Sequence, residues 1–102
     1  MNPEDPLAAL DDCRRRIDTV DRRIVALLNE RARIVETIGD IKQRIAMRVY
    51  EPKREDEVFA NITGSNAGPL QSGALRRIYE RIIDEMRTLQ RDRMAGLPPP
   101  RP

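Results

Sequence analysis

Residues Leu7–Ala46, LAALDDCRRRIDTVDRRIVALLNERARIVETIGDIKQRIA, decide the fold. Leu10, Cys13, Ile17, Val20, Ile24, Leu27, Ile34, Ile38, Ile41 and Ile45 fall mostly three or four apart, and no proline interrupts them. That spacing predicts one long amphipathic helix with a single apolar stripe. At about 1.5 Å rise per residue, roughly forty residues extend about 60 Å. A compact domain of this size is far narrower, so a second chain is expected to share the burial. A neighbouring seam runs through Arg14, Ile17, Asp21, Ile24, Leu28, Arg31, Val35, Ile38, Lys42 and Ile45 with the same spacing, but charges interrupt it. Arg14, Arg31 and Lys42 thus stand on or beside a face that calls for cover, where an unpaired cation is costly.

Working outward, 102 residues allow one domain with a modest core. Helix formers and charged residues dominate and aromatics are scarce, so the composition reads as all-α. With 19 basic and 17 acidic residues the formal net charge is only +2, too balanced to indicate a polyanion partner, and nucleic acid is not expected. Cys13 is the sole cysteine, which excludes a disulfide framework or cysteine metal cluster within one chain and reads as a small buried hydrophobe. There is no histidine, so the commonest general base and metal ligand are both missing and no metal site is expected. No apolar run reaches the length of a membrane span, and residues 1–6 lack the regions of a signal peptide. The cytoplasm is the expected compartment.

Residues 1–6 read as a polar lead, with Pro6 suited to the start of the helix, and Asp11 and Asp12 place negative charge near its positive end. Gly39 lies inside the helical pattern at a cost of about 1 kcal/mol relative to alanine. A close backbone approach by another element or a ligand would explain it. Met47–Tyr50 reads as a connection, and Pro52 opens a second helix, Pro52–Ile62, with Val58, Phe59 and Ile62 facing inward. Gly64–Gly68 is a loop. A third helix is expected over Pro69–Arg93, its stripe formed by Leu70, Leu75, Ile78, Ile82, Met86 and Leu89, with Tyr79, Ile83 and Gln90 at the border. The helical domain then spans 7–95, and the proline-rich residues 96–102 form an extended or disordered tail. Three helices of such unequal length cannot bury the first within one chain, so a two-fold dimer exchanging long helices is expected.

Arg31 and Lys42 stand eleven residues apart, about 16 Å along a helix. Their long side chains, leaning together, can grip one small ligand. Arg14 lies about 25 Å from Arg31 on the same helix, too far to share that ligand. Antiparallel pairing across a two-fold axis would bring Arg14 of one chain to Arg31 of the other. Glu51, Arg54 and Glu55 cluster at the start of the second helix, where Arg54 and Glu55 are expected to face one cavity, and Gln90 offers a neutral amide. Taken singly, these residues have ordinary explanations: a cation in a stripe is usually paired or reaches past its neighbours to water. Asp21 reads as a structural partner for a nearby arginine, and Arg76, Arg81, Arg91 and Arg93 as solvated surface charges.

Together they form a pattern. The order Leu10, Arg14, Ile17, Asp21, Ile24, Leu27-Leu28, Arg31, Gly39, Lys42, followed by Tyr50-Glu51-Pro52 and Arg54-Glu55, resembles the all-helical chorismate mutases of the AroQ class. The resemblance covers about Leu7 to Arg93 and rests on several charges and a glycine at matching intervals. It implies an intertwined all-α homodimer that converts chorismate to prephenate without metal or organic cofactor. It places the cross-dimer arginine on Arg14, a second carboxylate-binding arginine on Arg31, the ether-oxygen lysine on Lys42 and the ether-binding glutamine on Gln90. The acidic segment falls on Glu51, Arg54 and Glu55. Where many members carry a small polar residue one turn before the glutamine, this chain has Met86 at that substrate-lining position.

Such chemistry suits the residue inventory. The rearrangement is unimolecular and needs no nucleophile or obligatory proton transfer, so the missing histidine is no obstacle. Two substrate carboxylates call for two guanidinium forks, and the ether oxygen calls for donors aimed at its growing charge. A lyase on the same fold that releases pyruvate from isochorismate would need similar clamps. A non-catalytic helical interaction or RNA-binding module is the alternative of a different class, and the arginine-rich surface is its only support.

Overall fold

The computed structural model describes residues 5–99 and 101–102. Three helices, α1 (Pro6–Arg44), α2 (Pro52–Gly64) and α3 (Ser72–Met94), account for the regular structure among them. The fold is all-α, as the composition and periodicity require. Most of the expected polar lead, residues 1–4, and Pro100 of the tail lie outside the described residues. No helix among the described residues is long and apolar enough to cross a membrane. The chain divides into two compact units, 1–33 and 34–102.

The first unit is the N-terminal part of α1. Asp5 caps it: its Oδ1 accepts from the Leu7 and Ala8 N–H groups at 3.0 and 3.2 Å, and Pro6 takes the first helical position, where a missing N–H is harmless. Asp11 and Asp12 lie past the first turn, and Asp12 reaches Arg15 at 4.0 Å. The apolar stripe of this unit is uncovered in the single chain, with Ile17 59% and Leu27 63% exposed. Cys13 is exposed too, not the buried hydrophobe that its place in the stripe suggests, because the stripe around it is uncovered among the described residues of this unit.

The second unit holds the C-terminal part of α1 together with α2 and α3. Val35 and Ile83 are its buried apolar residues. Ile83, expected at the border of the α3 stripe, is therefore central, whereas Ile78 and Leu70, expected within the stripe, are exposed. Val58, Phe59 and Ile62 are half-buried on α2, and the Arg76 guanidinium lies 4.0 Å from the Phe59 ring centroid while bridging Glu80 at 3.5 Å. Arg76 is thus a packing residue as well as a surface charge. Helix α3 begins at Ser72 rather than Pro69, because Asn66 organises the preceding loop. Its Oδ1 accepts from Gly68 N–H at 3.0 Å, and its amide nitrogen donates to the Leu70 carbonyl at 2.8 Å and to Ser72 Oγ at 3.4 Å.

Two helix ends close in the same way. After α1, Ala46 adopts φ 54°, its N–H donating to the Gln43 carbonyl at 3.5 Å and that of Met47 to the Lys42 carbonyl at 2.8 Å. After α3, Gly96 takes φ 73°, with Gly96 bonding Arg93 at 3.1 Å and Leu97 bonding Asp92 at 3.0 Å. Both are Schellman turns. Glycine adopts this geometry freely, whereas alanine at position 46 carries a strain of roughly 1 kcal/mol. Helix α1 consequently ends at Arg44, two residues before the expected Ala46.

Candidate active site

Lys42 is the deepest polar residue of the second unit, with 4% of its surface exposed, and Gln90 follows at 7%. An ammonium has three protons and no acceptor. Each proton has a partner: the Val49 carbonyl at 2.8 Å, Gln90 Oε1 at 2.9 Å and Glu51 Oε2 at 2.8 Å. Every proton of the buried charge is thereby hydrogen-bonded, which is the condition for keeping it charged at this depth. The turn at Ala46 makes this arrangement, since it reverses the chain and returns Val49 and Glu51 to the residue whose carbonyl anchors the turn.

Glu51 stands at the N-cap of α2, yet its side chain makes no capping bond. The carboxylate is given to Lys42 instead, and Pro52 at the first helical position lowers the need for a cap. Val49 offers a backbone carbonyl and Gln90 is buried, whereas Glu51 offers a partly exposed side chain, so of the three acceptors it is the one free to swing away.

The Lys42 contact fixes how the Gln90 amide is turned. Because the ammonium only donates, Gln90 must present its oxygen to it, and the NH2 group then points elsewhere with no partner among the described residues. A buried lysine and a glutamine with spare N–H groups are together a preformed donor site for an oxygen atom.

Gly39 makes the close approach possible. A Cβ placed there would lie 3.4 Å from Gln90 Cγ, 3.5 Å from Met94 Cγ and 3.6 Å from the Gln90 carbonyl. A methyl group would only touch these atoms, but anything larger would push Gln90 off Lys42. The glycine in the helical pattern is accounted for by the approach of α3. Met86 is half-buried one turn before Gln90.

The remaining expected residues are distributed differently. Arg54 and Glu55 do not face one cavity: Arg54 is exposed and pairs with Glu57 at 3.3 Å, whereas Glu55 Oε2 lies 3.2 Å from Arg87 Nε. Consecutive helical residues point about 100° apart, which separates them. Arg14 and Arg31 belong to the first unit, Arg14 exposed and Arg31 half-buried, and neither has an acidic partner among the described residues.

Sequence reading missed two arginines. Arg87, one turn before Gln90 on α3, contacts Glu55, and its position three residues from the glutamine was the available signal. Arg93 is exposed, as expected of a surface charge, but it is paired. It grips Asp40 with two bonds, Nε to Oδ1 at 3.1 Å and Nη2 to Oδ2 at 3.3 Å, and reaches Glu36 at 3.5 Å. The Arg93 hydrogen bond, aided by its charge and that of Arg44, holds the Asp40 carboxyl below the usual carboxylate range despite an opposing desolvation effect.

Comparison with known proteins shows the family to which the chain belongs. The family model described as chorismate mutase type II matches residues 13–91. The chain is 36% identical over 86 residues to a bifunctional chorismate mutase/prephenate dehydratase of Aquifex aeolicus, covering 80% of this chain and 24% of that protein. It is 38% identical over 78 residues to a protein of the same description from Neisseria gonorrhoeae, covering 76% and 21%. It thus spans about a quarter of the length of these curated relatives. Among solved structures, chorismate mutase (form II) of Thermus thermophilus superposes with a TM-score of 0.80 at 32% identity, covering 81% of this chain and 94% of that one. Chorismate mutase of Helicobacter pylori, solved in complex with prephenate, superposes with a TM-score of 0.81 at 27% identity, covering 89% and 99%. With the family match extending over most of its length, from the first helix through Gln90, the chain belongs to the chorismate mutase type II family.

Proposed function

We propose that the chain catalyses the rearrangement of chorismate to prephenate, a step of aromatic amino acid biosynthesis, as a cytoplasmic homodimer working without metal or organic cofactor. The observation that carries this reading is the buried Lys42–Gln90 pair, a lysine and an amide held at 2.9 Å on helices that the family match spans. Helicobacter pylori chorismate mutase with prephenate bound supports the choice of substrate.

In the reaction one C–O bond of the substrate breaks as a C–C bond forms, and the ether oxygen gains electron density on the way. Lys42 and the free amide hydrogens of Gln90 donate to that oxygen. Their contacts strengthen as charge develops, which lowers the barrier and not merely the energy of binding. Lys42 reaches the substrate by exchanging Glu51 for the ether oxygen while keeping Val49 and Gln90. Arg31 and Arg14 from a second copy bind the two carboxylates and hold the folded, reactive conformation. Glu55 accepts from the ring hydroxyl, Met86 gives an apolar contact, and Glu51 and Arg54 shape the entrance and balance charge. The helical domain 7–95 carries the activity, and residues 96–102 are a tail to it.

The uncovered apolar stripe of the first unit supports the dimer. An exposed run of this kind on a soluble chain marks an association surface, and the unpartnered Arg14 beside it is placed to serve another copy. The test is to follow chorismate disappearance by absorbance and identify the product. Prephenate is expected. Pyruvate release from isochorismate with no turnover of chorismate would assign the site to the lyase reaction instead.

A further inference from the structure

Among the described residues, two cation–carboxylate links tie the start of α2 to α3, and Lys42 makes one of them. The first runs from Glu51 through Lys42 to Gln90. One helical turn further along α2 stands Glu55, and one turn before Gln90 on α3 stands Arg87, so the 3.2 Å Arg87–Glu55 contact is a second link parallel to the first. The Arg87 guanidinium is held from two other sides, by the Tyr50 ring at 5.5 Å to its centroid and by Asp84 at 3.4 Å. Its Nε is shut off from solvent and, though within ion-pair distance of Glu55, is out of line for a hydrogen bond. A buried donor in that state leaves a gain available to any motion that brings the carboxylate into line. Only Oε2 of Glu55 is engaged, and Oε1 accepts nothing among the described residues.

We infer that Arg87 is a positioning residue for the mutase site, orienting the Glu55 carboxylate through Oε2 so that Oε1 faces the substrate's ring hydroxyl. This rests on the proposed function, since Glu55 matters only if a hydroxylated ring binds there. The arrangement also resolves an electrostatic conflict. A carboxylate beside a dianionic ligand repels it, and a guanidinium on the far oxygen offsets that repulsion while leaving the near oxygen free to accept. Arg87 touches no reacting atom. Its contribution is present in both ground and transition states, so it belongs in KM.

The experiment compares wild type, Arg87→Gln, Arg87→Lys, Glu55→Gln and the Arg87→Gln/Glu55→Gln double variant on chorismate and on an analogue whose ring hydroxyl is replaced by hydrogen. Arg87→Gln should raise KM for chorismate roughly ten-fold, the scale of one charge-assisted contact, with kcat within about two-fold of wild type. Arg87→Lys should recover part of that loss. In the Glu55→Gln background, or with the analogue, removing Arg87 should change little. A purely structural arginine would instead lower the melting temperature and the active fraction equally for both substrates. That result, or an Arg87→Gln variant with unaltered KM, overturns the inference and leaves the proposed function standing. If Arg87→Gln does not fold, equal KM values for Arg87→Lys and wild type overturn it. A wild-type chain that turns over no chorismate removes the proposed function and this inference with it.

Discussion

Arg14 and Lys42 interrupt the same apolar helix, yet their surroundings are opposite. Lys42, in the unit 34–102, is buried and its three protons meet three acceptors of its own chain. Arg14, in the unit 1–33, is exposed among uncovered apolar side chains and has no partner among the described residues. The contrast teaches that a cation in a stripe is one of two things. Where its own chain supplies the acceptors, the chain has built a polar site on its own. Where both acceptors and apolar cover are missing among the described residues, the proposed second copy is what would supply them.

The largest effect expected from this contrast is at the satisfied cation. Lys42→Ala should lower kcat by about 100- to 1000-fold, the usual cost of losing one preorganised donor to a developing oxyanion. Retention of most of the turnover in the chorismate assay would show that burial of Lys42 serves the fold alone. At the unsatisfied cation, Arg14→Ala should lower kcat/KM roughly 10- to 100-fold. Here mixing sharpens the contrast: after joint unfolding and refolding, equal amounts of Arg14→Ala and Lys42→Ala chains should regain about a quarter of wild-type activity. In a two-fold dimer, half the molecules are then hybrids with one intact site of two. No recovery would mean that Arg14 serves its own chain.

A smaller effect is expected where the second unit is tightest. Gly39→Val should destabilise by about 1–3 kcal/mol through overpacking against Gln90, read as a lower denaturation midpoint, and should raise KM or lower kcat because Gln90 is displaced from Lys42. Unaltered stability and activity would mean that α3 approaches less closely. The smallest effect lies at the exposed Arg93–Asp40 pair. The folded state holds the Asp40 carboxyl below its ordinary range, so its contribution to stability is complete above about pH 4 and is lost as pH falls through the lowered value. Asp40→Asn should therefore lower the melting temperature by at most a few degrees at neutral pH, and the two curves should converge in acid. A constant difference down to low pH would assign the effect to packing rather than to charge.

What could be read from the sequence divides along physical lines. Lys42 was visible because a charge on an apolar stripe breaks a local pattern, and Pro52 because a proline's fixed φ suits a first helical turn. The start of α3 was misplaced at Pro69 because the competing interactions come from the Asn66 side chain, whose bonds to Gly68, Leu70 and Ser72 no periodicity reveals. Arg93 looked like an ordinary surface charge and Arg87 gave no signal beyond its nearness to Gln90, since their partners, Asp40 and Glu55, lie on other helices far away in the chain. The separation of Arg54 from Glu55 was available from helical geometry alone. The exposed Cys13 shows the converse difficulty, a stripe position left uncovered among the described residues.

The left-handed Ala46 also has a bearing on which changes this chain can tolerate. By tying Met47 to the carbonyl of Lys42, it starts the interhelical segment from the lysine itself, so the interval to Glu51 works as a molecular ruler. Glycine in place of Ala46 would leave the ruler intact, whereas a β-branched residue or proline there would break it. An inserted or deleted residue would take the carbonyl and the carboxylate away together, so in this chain the length of the segment sets the reach of Lys42's acceptors.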